Sequence, residues 1–325
     1  MNDIRLDGRV AIVTGGGRGL GRAYAQLLAR RGARVVVNDI GTSMVGQGVA
    51  DGVAQAAVDE ISQQGGDAIA DMHDISDPGG AKALIDFALN RYGHIDIVVN
   101  NAGIIQRAPL ENVTSEALGQ TLKVNLMGTL YVTQAAWPHF VAQGYGRVVN
   151  ATSATGLLGN IGSSSYAASK GGIIGLTRVF ALEGAAHNIG VNAIAPLALT
   201  RMTESLAQAD WLPTDLPADK VAPVVAWLAH EDCQVTGEVY SAGGGRVARY
   251  FTGLTDGYYS HDLTPEQVRD HLQSIRSRQN YSVPQGPEGE FAVLARQVAD
   301  GNRSSGDSHP HGTEALASNT GTDKD

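Results

Sequence analysis

Two side chains in the middle of the sequence, Tyr166 and Lys170, have the types and the spacing for acid–base chemistry. Positions four apart lie on one face of a helix, and the apolar residues that follow at helical spacing predict such a helix. A free tyrosine titrates near pH ~10, and a neighbouring cation favours the phenolate and lowers that pKa. The pair therefore predicts a general acid/base, although the same spacing also occurs in ordinary surface pairs.

Two further polar residues belong near this pair. Ser153 stands 13 residues before Tyr166, just past a predicted strand at 146–152. Ligands of open α/β sheets bind beyond the carboxyl ends of the strands, so we expect Ser153 at the floor of the same site. Asn125 lies inside a long predicted helix, 115–142, where asparagine is unfavourable. It therefore predicts a local kink or a bound water.

A glycine-rich turn between the first strand (9–14) and the first helix (23–30) predicts a dinucleotide site. Glycines permit a tight turn and close approach of a pyrophosphate, and the helix N-terminus supplies N–H donors. A turn that serves only packing is the alternative, but the order strand, turn, helix favours the dinucleotide. The candidate cofactor residues here are Gly15, Gly17, Arg18, Gly19, Leu20 and Gly21.

The end of the second predicted strand, 33–38, indicates which dinucleotide is bound. Asp39 lies about 20 positions past the glycine turn, where a carboxylate accepts hydrogen bonds from the adenosine ribose and repels a 2′-phosphate. Arg18 favours the opposite choice, because a basic residue in the turn could meet a 2′-phosphate. We expect NAD rather than NADP, since the Asp39 carboxylate directly repels a 2′-phosphate, while the Arg18 side chain can face solvent. A turn-forming aspartate is the alternative interpretation of Asp39.

Two more strand ends carry candidate cofactor residues. Asp74 and Ile75 follow the third strand, 67–72, where adenine would lie, and Asp74 could accept from its amine. Asp77 and Pro78 make the better helix cap, which leaves Asp74 free. The fourth strand, 95–99, ends in a polar and small-residue run whose candidates are Asn101, Ala102 and Gly103. Small residues there let a cofactor lie against the strand end, and asparagine amides could join neighbouring strands.

Composition limits the functional classes. The 325 residues carry a net charge of −9, from 24 basic and 33 acidic residues, which argues against nucleic-acid and anionic-membrane partners. Cys233 is the only cysteine, so neither an intrachain disulfide nor a cysteine metal cluster can form, and we expect no metal site. No apolar run reaches ~18 residues, and the chain does not end in a Ser-Lys-Leu type signal. We expect a cytoplasmic protein without membrane spans.

Alternating strand and helix patterns predict an α/β chain with one doubly wound Rossmann domain and a seven-stranded parallel sheet. We place this domain at residues 1–250, a C-terminal helical extension at 251–300 and a disordered tail at 301–325. Residues 197–218 are irregular yet apolar, which is typical of a lid over a ligand. Thr264, Pro265 and Gln267 predict a capped helix start in the extension.

Taken together, these motifs resemble the short-chain dehydrogenase/reductase family. The glycine turn from Thr14 to Gly21, the run Asn100 to Gly103, and the set Asn125, Ser153, Tyr166 and Lys170 match it in order and spacing over about residues 6–245. The resemblance implies that Ser153 binds the substrate oxygen and Tyr166 takes its proton, that Lys170 supports Tyr166 and the nicotinamide ribose, and that Asn125 holds a relay water. It also places Pro196 and Thr200 at the nicotinamide.

Within that family the chain is similar to the subgroup formed by the dehydrogenase part of peroxisomal D-bifunctional (multifunctional type 2) proteins. Two departures from the general pattern belong to that subgroup: Leu197 replaces a glycine and Gly243 replaces an aspartate. The resemblance implies NAD-dependent oxidation of (3R)-3-hydroxyacyl-CoA to 3-ketoacyl-CoA. It also implies a homo-oligomer, a dimer or a tetramer. The Tyr166 helix, with Gly171, Gly172 and a broad apolar face, could pack on a second subunit, and burial within one subunit is the alternative.

Two other functions fit the sequence. The apolar lid also suits a hydroxysteroid or another secondary alcohol as substrate. A non-catalytic NAD-binding regulatory protein is the alternative from a different class, and the complete set of four catalytic residues argues against it. NADH formation with an acyl-CoA, a steroid or neither substrate separates the three.

Overall fold

The computed structural model describes residues 3–201 and 215–306. These residues divide into two compact units, with the boundary between Tyr250 and Phe251. Most of the predicted lid, including Met202, Leu206 and Trp211, lies outside the described residues.

One β-sheet organises the first unit. Its strands are β1 Val10–Thr14, β2 Arg34–Asn38, β3 Asp67–Asp71, β4 Ile97–Asn100, β5 Gly146–Ala151, β6 Ile189–Pro196, β7 Val239–Gly243 and β8 Arg246–Tyr250. They lie in the order β3-β2-β1-β4-β5-β6-β7-β8. The predicted seven-stranded parallel sheet is confirmed, because β1 to β7 all pair in parallel. Strand order reverses between β1 and β4, which opens a crevice at their carboxyl ends.

The strands are apolar because helices cover both faces of the sheet. The helices of this unit are α1 Gly19–Arg30, α2 Val53–Gln63, α3 Pro78–Tyr92, α4 Ser115–Leu122, α5 Gly128–Gln143, α6 Ala154–Leu158, α7 Ser164–Gly184 and α8 Ala222–Leu228. Helices α1, α2 and α8 pack on one face, and α3, α5 and α7 pack on the other. Among the described residues, no helix is long and apolar enough to cross a membrane.

Two features at the end of the sheet differ from the sequence prediction. The apolar pattern over residues 235–240 predicts the last parallel strand, but β7 begins at Val239 because Gly237 turns the chain at a φ of +76° and donates to Val191 O at 2.7 Å. The antiparallel strand β8 was not predicted. Gly244 and Gly245 have φ values of +58° and +83°, and this tight turn returns the chain alongside β7.

Local distortion at Asn125 is confirmed. The predicted helix 115–142 is interrupted between α4 and α5 by a π-helical turn, Lys123–Met127. Asn125 is fully buried in this turn. Such turns inside helices are rare and frequently occur at functional sites.

Capping residues define two helix starts as the sequence predicted. The Asp77 side chain accepts from Gly80 N at the start of α3. In the second unit, Thr264 and Gln267 form a reciprocal capping box at α9 Pro265–Asp270.

The second unit contains two short strands and three helices within its described residues. Strands β9 Leu254–Thr255 and β10 Tyr281–Ser282 pair antiparallel. Helix α10 Leu272–Ile275 follows α9, and α11 runs from Pro287 to Gly306. The predicted tail was placed from residue 301, but the helix continues through 306, and residues 307–325 lie outside the described part.

Candidate active site

A cavity of about 420 Å³ lies at the carboxyl ends of the parallel strands. It brings together residues from both halves of the sheet, which are far apart in the sequence. All predicted cofactor residues except Gly17 line it: Gly15, Arg18, Gly19, Leu20, Gly21, Asp39, Asp74, Ile75, Asn101, Ala102, Gly103, Tyr166, Lys170, Pro196 and Thr200. The predicted catalytic residues Ser153 and Asn125 are not among the residues that line it.

The glycine turn is packed too closely for side chains. Gly15 has a φ of +61°, and a Cβ there would lie 2.8 Å from Ala102 Cα. A Cβ on Gly21 would lie 2.1 Å from Gly15 O. Helix α1 begins at Gly19, and the residues Gly19, Leu20 and Gly21 of its first turn line the cavity, where a helix N-terminus would stabilise an anion. Arg18 lines the same cavity, and it does not simply face solvent.

Asp39 is held in place by the glycine turn. Its Oδ2 accepts from Gly17 N at 3.0 Å and its Oδ1 accepts from Gly41 N at 2.8 Å. Gly17 therefore contributes by orienting Asp39 rather than by lining the cavity. The carboxylate lies at the end of β2 on the cavity wall, where it adds a negative charge that disfavours a 2′-phosphate.

Near Asp74, the buried side chains of Asn38 and Asp71 form a hydrogen-bond cluster with the half-exposed His73. Asp71 Oδ1 accepts from Asn38 Nδ2 at 2.6 Å, and Asp71 Oδ2 pairs with His73 Nδ1 at 2.7 Å. Asp74 was predicted to be free, but its Oδ1 accepts from Ser76 N at 2.9 Å. The local turn after β3 thus uses one oxygen of this carboxylate.

Asn101 connects the ends of β1 and β4. Its Nδ2 donates to Thr14 O at 3.0 Å and to Gly15 O at 3.1 Å. The Thr14 hydroxyl in turn accepts from the backbone N of Asn101 and of Ala102, at 3.0 and 3.1 Å. These bonds hold the glycine turn against Ala102, and Gly103 lies next to Lys170 Nζ.

Tyr166 and Lys170 both lie in the buried first half of α7. Tyr166 is 8% exposed and Lys170 is 3% exposed. The Tyr166 phenol is hydrogen-bonded to Ser153, whose Oγ also accepts from Thr155 N at 3.1 Å at the start of α6. Lys170 Nζ donates to Ala151 O at 2.7 Å at the end of β5. The strand end and the two helices thereby place a phenol, a hydroxyl and an ammonium together.

Electrostatics at the phenol differ from the prediction. We expected Lys170 to lower the pKa of Tyr166, but burial raises that pKa and outweighs the lowering by the Ser153 hydrogen bond and by the Arg107 cation. Burial also lowers the pKa of Lys170 to about 8. The closed protein interior penalises both charged forms, so ionisation of the pair depends on the few groups that stabilise charge there.

Asn125 is held by protein groups on both sides of its amide. Its Oδ1 accepts from Ile104 N at 2.8 Å, and its Nδ2 donates to Ile104 O at 3.0 Å and to Ser169 Oγ at 3.1 Å. The Ser169 hydroxyl donates to Tyr166 O at 2.8 Å. These bonds position the chain after Gly103 against the helix that carries Tyr166, and the relay water at Asn125 stays a prediction.

The two departures from the family pattern are in contact. A Cβ on Gly243 would lie 2.2 Å from Leu197 O and 2.6 Å from Leu197 Cβ. Leu197 N donates to Ala242 O at 2.8 Å, which continues the pairing of β6 with β7. An aspartate at 243 therefore has no space beside this leucine. Pro196 and Thr200 line the cavity on either side of this contact.

Several residues that act on the site or line the cavity had no signal in the sequence. Arg107 is exposed, and its cation acts on Tyr166 across space. Gln120 and Lys123 line the cavity from the end of α4 and the π-helical turn. Their positions depend on where that distorted helix lies, so a polar residue on a predicted amphipathic helix gives no indication of them.

The sequence matches the family described as short chain dehydrogenase over residues 9–211. The chain belongs to the short-chain dehydrogenase family. This is a family of oxidoreductases that typically use NAD or NADP. A solved structure, a short chain dehydrogenase from Mycobacterium avium, is 37% identical with a TM-score of 0.73, and the match covers 83% of this chain and 97% of that one.

Two relatives illustrate the range of this family. A putative short-chain type dehydrogenase/reductase of Mycobacterium tuberculosis is 45% identical over 77% of this chain and 87% of the relative. Peroxisomal multifunctional enzyme type 2 of mouse is 41% identical over 87% of this chain. The match spans 38% of that multifunctional enzyme's length.

Proposed function

We propose that the protein is an NAD-dependent dehydrogenase that oxidises (3R)-3-hydroxyacyl-CoA to 3-ketoacyl-CoA. The observation that carries the dehydrogenase part is the shared cavity: the phenol of Tyr166, hydrogen-bonded to Ser153, stands at one end, and the carboxylate of Asp39 stands at the other. The similarity to multifunctional enzyme type 2 supports the acyl-CoA substrate, which remains a proposal because the match covers less than half of that enzyme.

The cavity residues fit a dinucleotide. A glycine turn with an open helix N-terminus suits a pyrophosphate, and the small residues Ala102 and Gly103 leave the strand end accessible. Asp39 supports NAD over NADP, because its charge disfavours a 2′-phosphate. Arg18 lies in the same cavity, and we propose that it contacts the pyrophosphate rather than a 2′-phosphate.

Each catalytic side chain has a task at a named atom. A bound nicotinamide dinucleotide would supply the hydride acceptor. The Tyr166 phenolate accepts the proton of the substrate hydroxyl, and the Ser153 hydroxyl donates a hydrogen bond to the same substrate oxygen. Lys170 stabilises the phenolate by its charge, and Asn125 keeps Tyr166 and the Gly103 segment in register through Ile104 and Ser169.

An oxidation assay with purified protein tests this proposal. NAD or NADP is combined with a medium-chain (3R)-3-hydroxyacyl-CoA, its (3S) epimer or a hydroxysteroid, and formation of reduced nicotinamide is followed by absorbance. We expect turnover of the (3R) thioester with NAD. Turnover of the steroid alone would make a hydroxysteroid the substrate class in place of the acyl-CoA. Turnover with NADP alone would overturn the role of Asp39. NAD binding without turnover of any substrate would favour a regulatory protein.

Oligomeric state and location are proposed separately. We propose a homo-oligomer, because Val179 and Leu182 on α7 are 48% and 66% exposed. The glycines expected to serve that contact also have neighbours within the subunit, Leu126 beside Gly172 and Gly156 beside Gly171. Size-exclusion chromatography with light scattering measures the oligomeric state, and a monomer would contradict the proposal.

A cytoplasmic location stays a prediction, since the mouse relative is named as peroxisomal.

A further inference from the structure

Residues 43–47, named here the roof turn, form a compact turn at the cavity. Ser43 N donates to Gln47 O at 2.9 Å, and Gly46 N donates to Ser43 O at 3.0 Å. Gln47 N also donates to Ser43 Oγ at 3.1 Å. Ser43, Met44 and Gly46 line the cavity. The turn therefore has an internal shape of its own and can move as a unit.

Two glutamines from outside the turn hold it in place. Gln120 Nε2 donates to Gly46 O at 3.0 Å, and Gln106 Nε2 donates to Val45 O at 3.3 Å. The two side chains are also bonded to each other, because Gln106 Nε2 donates to Gln120 Oε1 at 2.8 Å. Together they act as one clamp on successive backbone carbonyls.

Apolar burial contributes little to the position of the roof turn. Met44 and Val45 are each 37% exposed, and Met44 O accepts from Ile105 N at 2.9 Å. A Cβ on Gly46 would lie 2.8 Å from Gln120 Nε2, and the φ of Gly46 is +80°. Glycine is therefore required for the close approach of the turn to the clamp.

The clamp is attached to the rigid part of the catalytic site. Ile104 precedes the clamping segment, and Asn125 binds both its N–H and its C=O. Asn125 is in turn bonded to Ser169, which is bonded to the backbone of Tyr166. The roof turn is thus connected, through the clamp and Asn125, to the helix that carries Tyr166.

We propose that Gln106 and Gln120 are positioning residues that latch the roof turn over a bound nicotinamide dinucleotide, and that opening of this latch limits dissociation of the cofactor. The inference rests on the proposed function for the identity of the cofactor. Backbone that covers a ligand has to move before the ligand leaves, and such openings often limit turnover. Protein–protein hydrogen bonds exchange for bonds to water at modest net cost, so the latch opens without unfolding.

Stopped-flow displacement of NADH fluorescence measures the predicted effect on the full chain. Gln120→Ala removes the bond to Gly46 and the partner of Gln106, and we expect NADH to dissociate about tenfold faster. Gln120→Glu keeps the size of the side chain but removes its N–H donor. NADH should therefore dissociate from this variant at a similarly increased rate. The KM for NAD should rise while kcat stays equal or increases, a split that a purely structural residue would not produce.

Two further variants complete the test. Gly46→Ala disturbs the same contact from the opposite side and should also speed dissociation. Gln234→Ala is the matched control, since the Gln234 amide bonds only Glu231 O among the described partners and lies outside the cavity lining. NADH dissociation rates in both Gln120 variants within about twofold of wild type would overturn the latch. Absence of NADH binding to the wild type would instead overturn the proposed function, and the latch with it.

Discussion

Lys170 Nζ lies 5.7 Å from the centroid of the Tyr166 ring and donates its hydrogen bond to Ala151 O. The ammonium is thus held by the end of β5, while the phenol is bonded to Ser153, the residue that caps the start of α6. Lysine and tyrosine share a helix face, but each is oriented by a different element. The lysine therefore acts on the tyrosine by its charge rather than by a hydrogen bond.

Tyr166→Phe removes the group proposed to accept the substrate proton. We expect kcat to fall by about 10²- to 10⁴-fold, the usual contribution of general acid–base catalysis, while NADH binding changes little. Steady-state kinetics and NADH titration measure the two effects. Full turnover in this variant would contradict the assignment of Tyr166.

Tyr24→Phe is the matched control and a prediction of its own. The Tyr24 hydroxyl is buried in α1 and has no hydrogen-bond partner among the described residues. Its removal relieves an unpaired polar group, so we expect unchanged activity and a gain of up to about 1 kcal/mol in the free energy of unfolding. Thermal and denaturant unfolding measure the gain, and a clear loss of stability would show that the hydroxyl has a partner.

Arg107→Gln removes a cation that lowers the pKa of Tyr166. The pKa should rise in the variant, so the rising limb of the pH–kcat/KM profile should move to higher pH. Because Arg107 is exposed, we expect kcat/KM at neutral pH to fall only about two- to fivefold. Added salt should make this loss smaller, because it screens the charge. Arg107→Lys should restore the profile, and the surface variant Arg30→Gln should leave it unchanged. An unshifted profile at low salt would contradict the prediction.

Lys170→Met removes a buried ammonium. Burial lowers the pKa of Lys170 from 10.5 to about 8, so between these values the unfolded chain binds a proton that the folded protein lacks. The free energy of unfolding of the wild type therefore rises with pH between the two pKa values. Below that window, the charged buried lysine lowers it by about 3 kcal/mol.

The difference between the Lys170→Met variant and wild type tests this sign. We expect the variant to lose activity, and its stability relative to wild type to be greatest near pH 7 and to decline towards pH 10. Denaturant unfolding across that range measures the trend. Lys82→Met, on the surface pair with Asp86, should show no such trend, and a constant difference for Lys170→Met would contradict burial as the cause.

Asp39→Asn tests cofactor choice. The amide keeps an oxygen for one of the backbone donors, Gly17 or Gly41, but removes the charge that disfavours a 2′-phosphate. We expect the ratio of kcat/KM for NAD over NADP to fall by about 10- to 100-fold, the usual effect of a charged hydrogen bond. Asp59→Asn on the surface of α2 serves as the control. An unchanged ratio would assign cofactor choice to another residue.

Short-range patterns were sufficient for most of the fold. Apolar runs such as Val10–Val13 predicted buried parallel strands, and Asp77 with Pro78 predicted a helix start, because burial and capping act on residues close together in the chain. The glycine turn was equally predictable, since its space and conformation depend on neighbours within one strand–turn–helix unit. The distortion at Asn125 followed from its low helix propensity.

The partners of polar side chains were decided by the tertiary structure alone. Gln120 bonds Gly46, which lies 74 positions away, and Asn125 bonds Ile104, which lies 21 positions away. The sign of the pKa change at Tyr166 also depended on burial by elements distant in sequence. A sequence determines which groups can donate, accept or ionise, but only the packed fold determines which partners and how much solvent each one has.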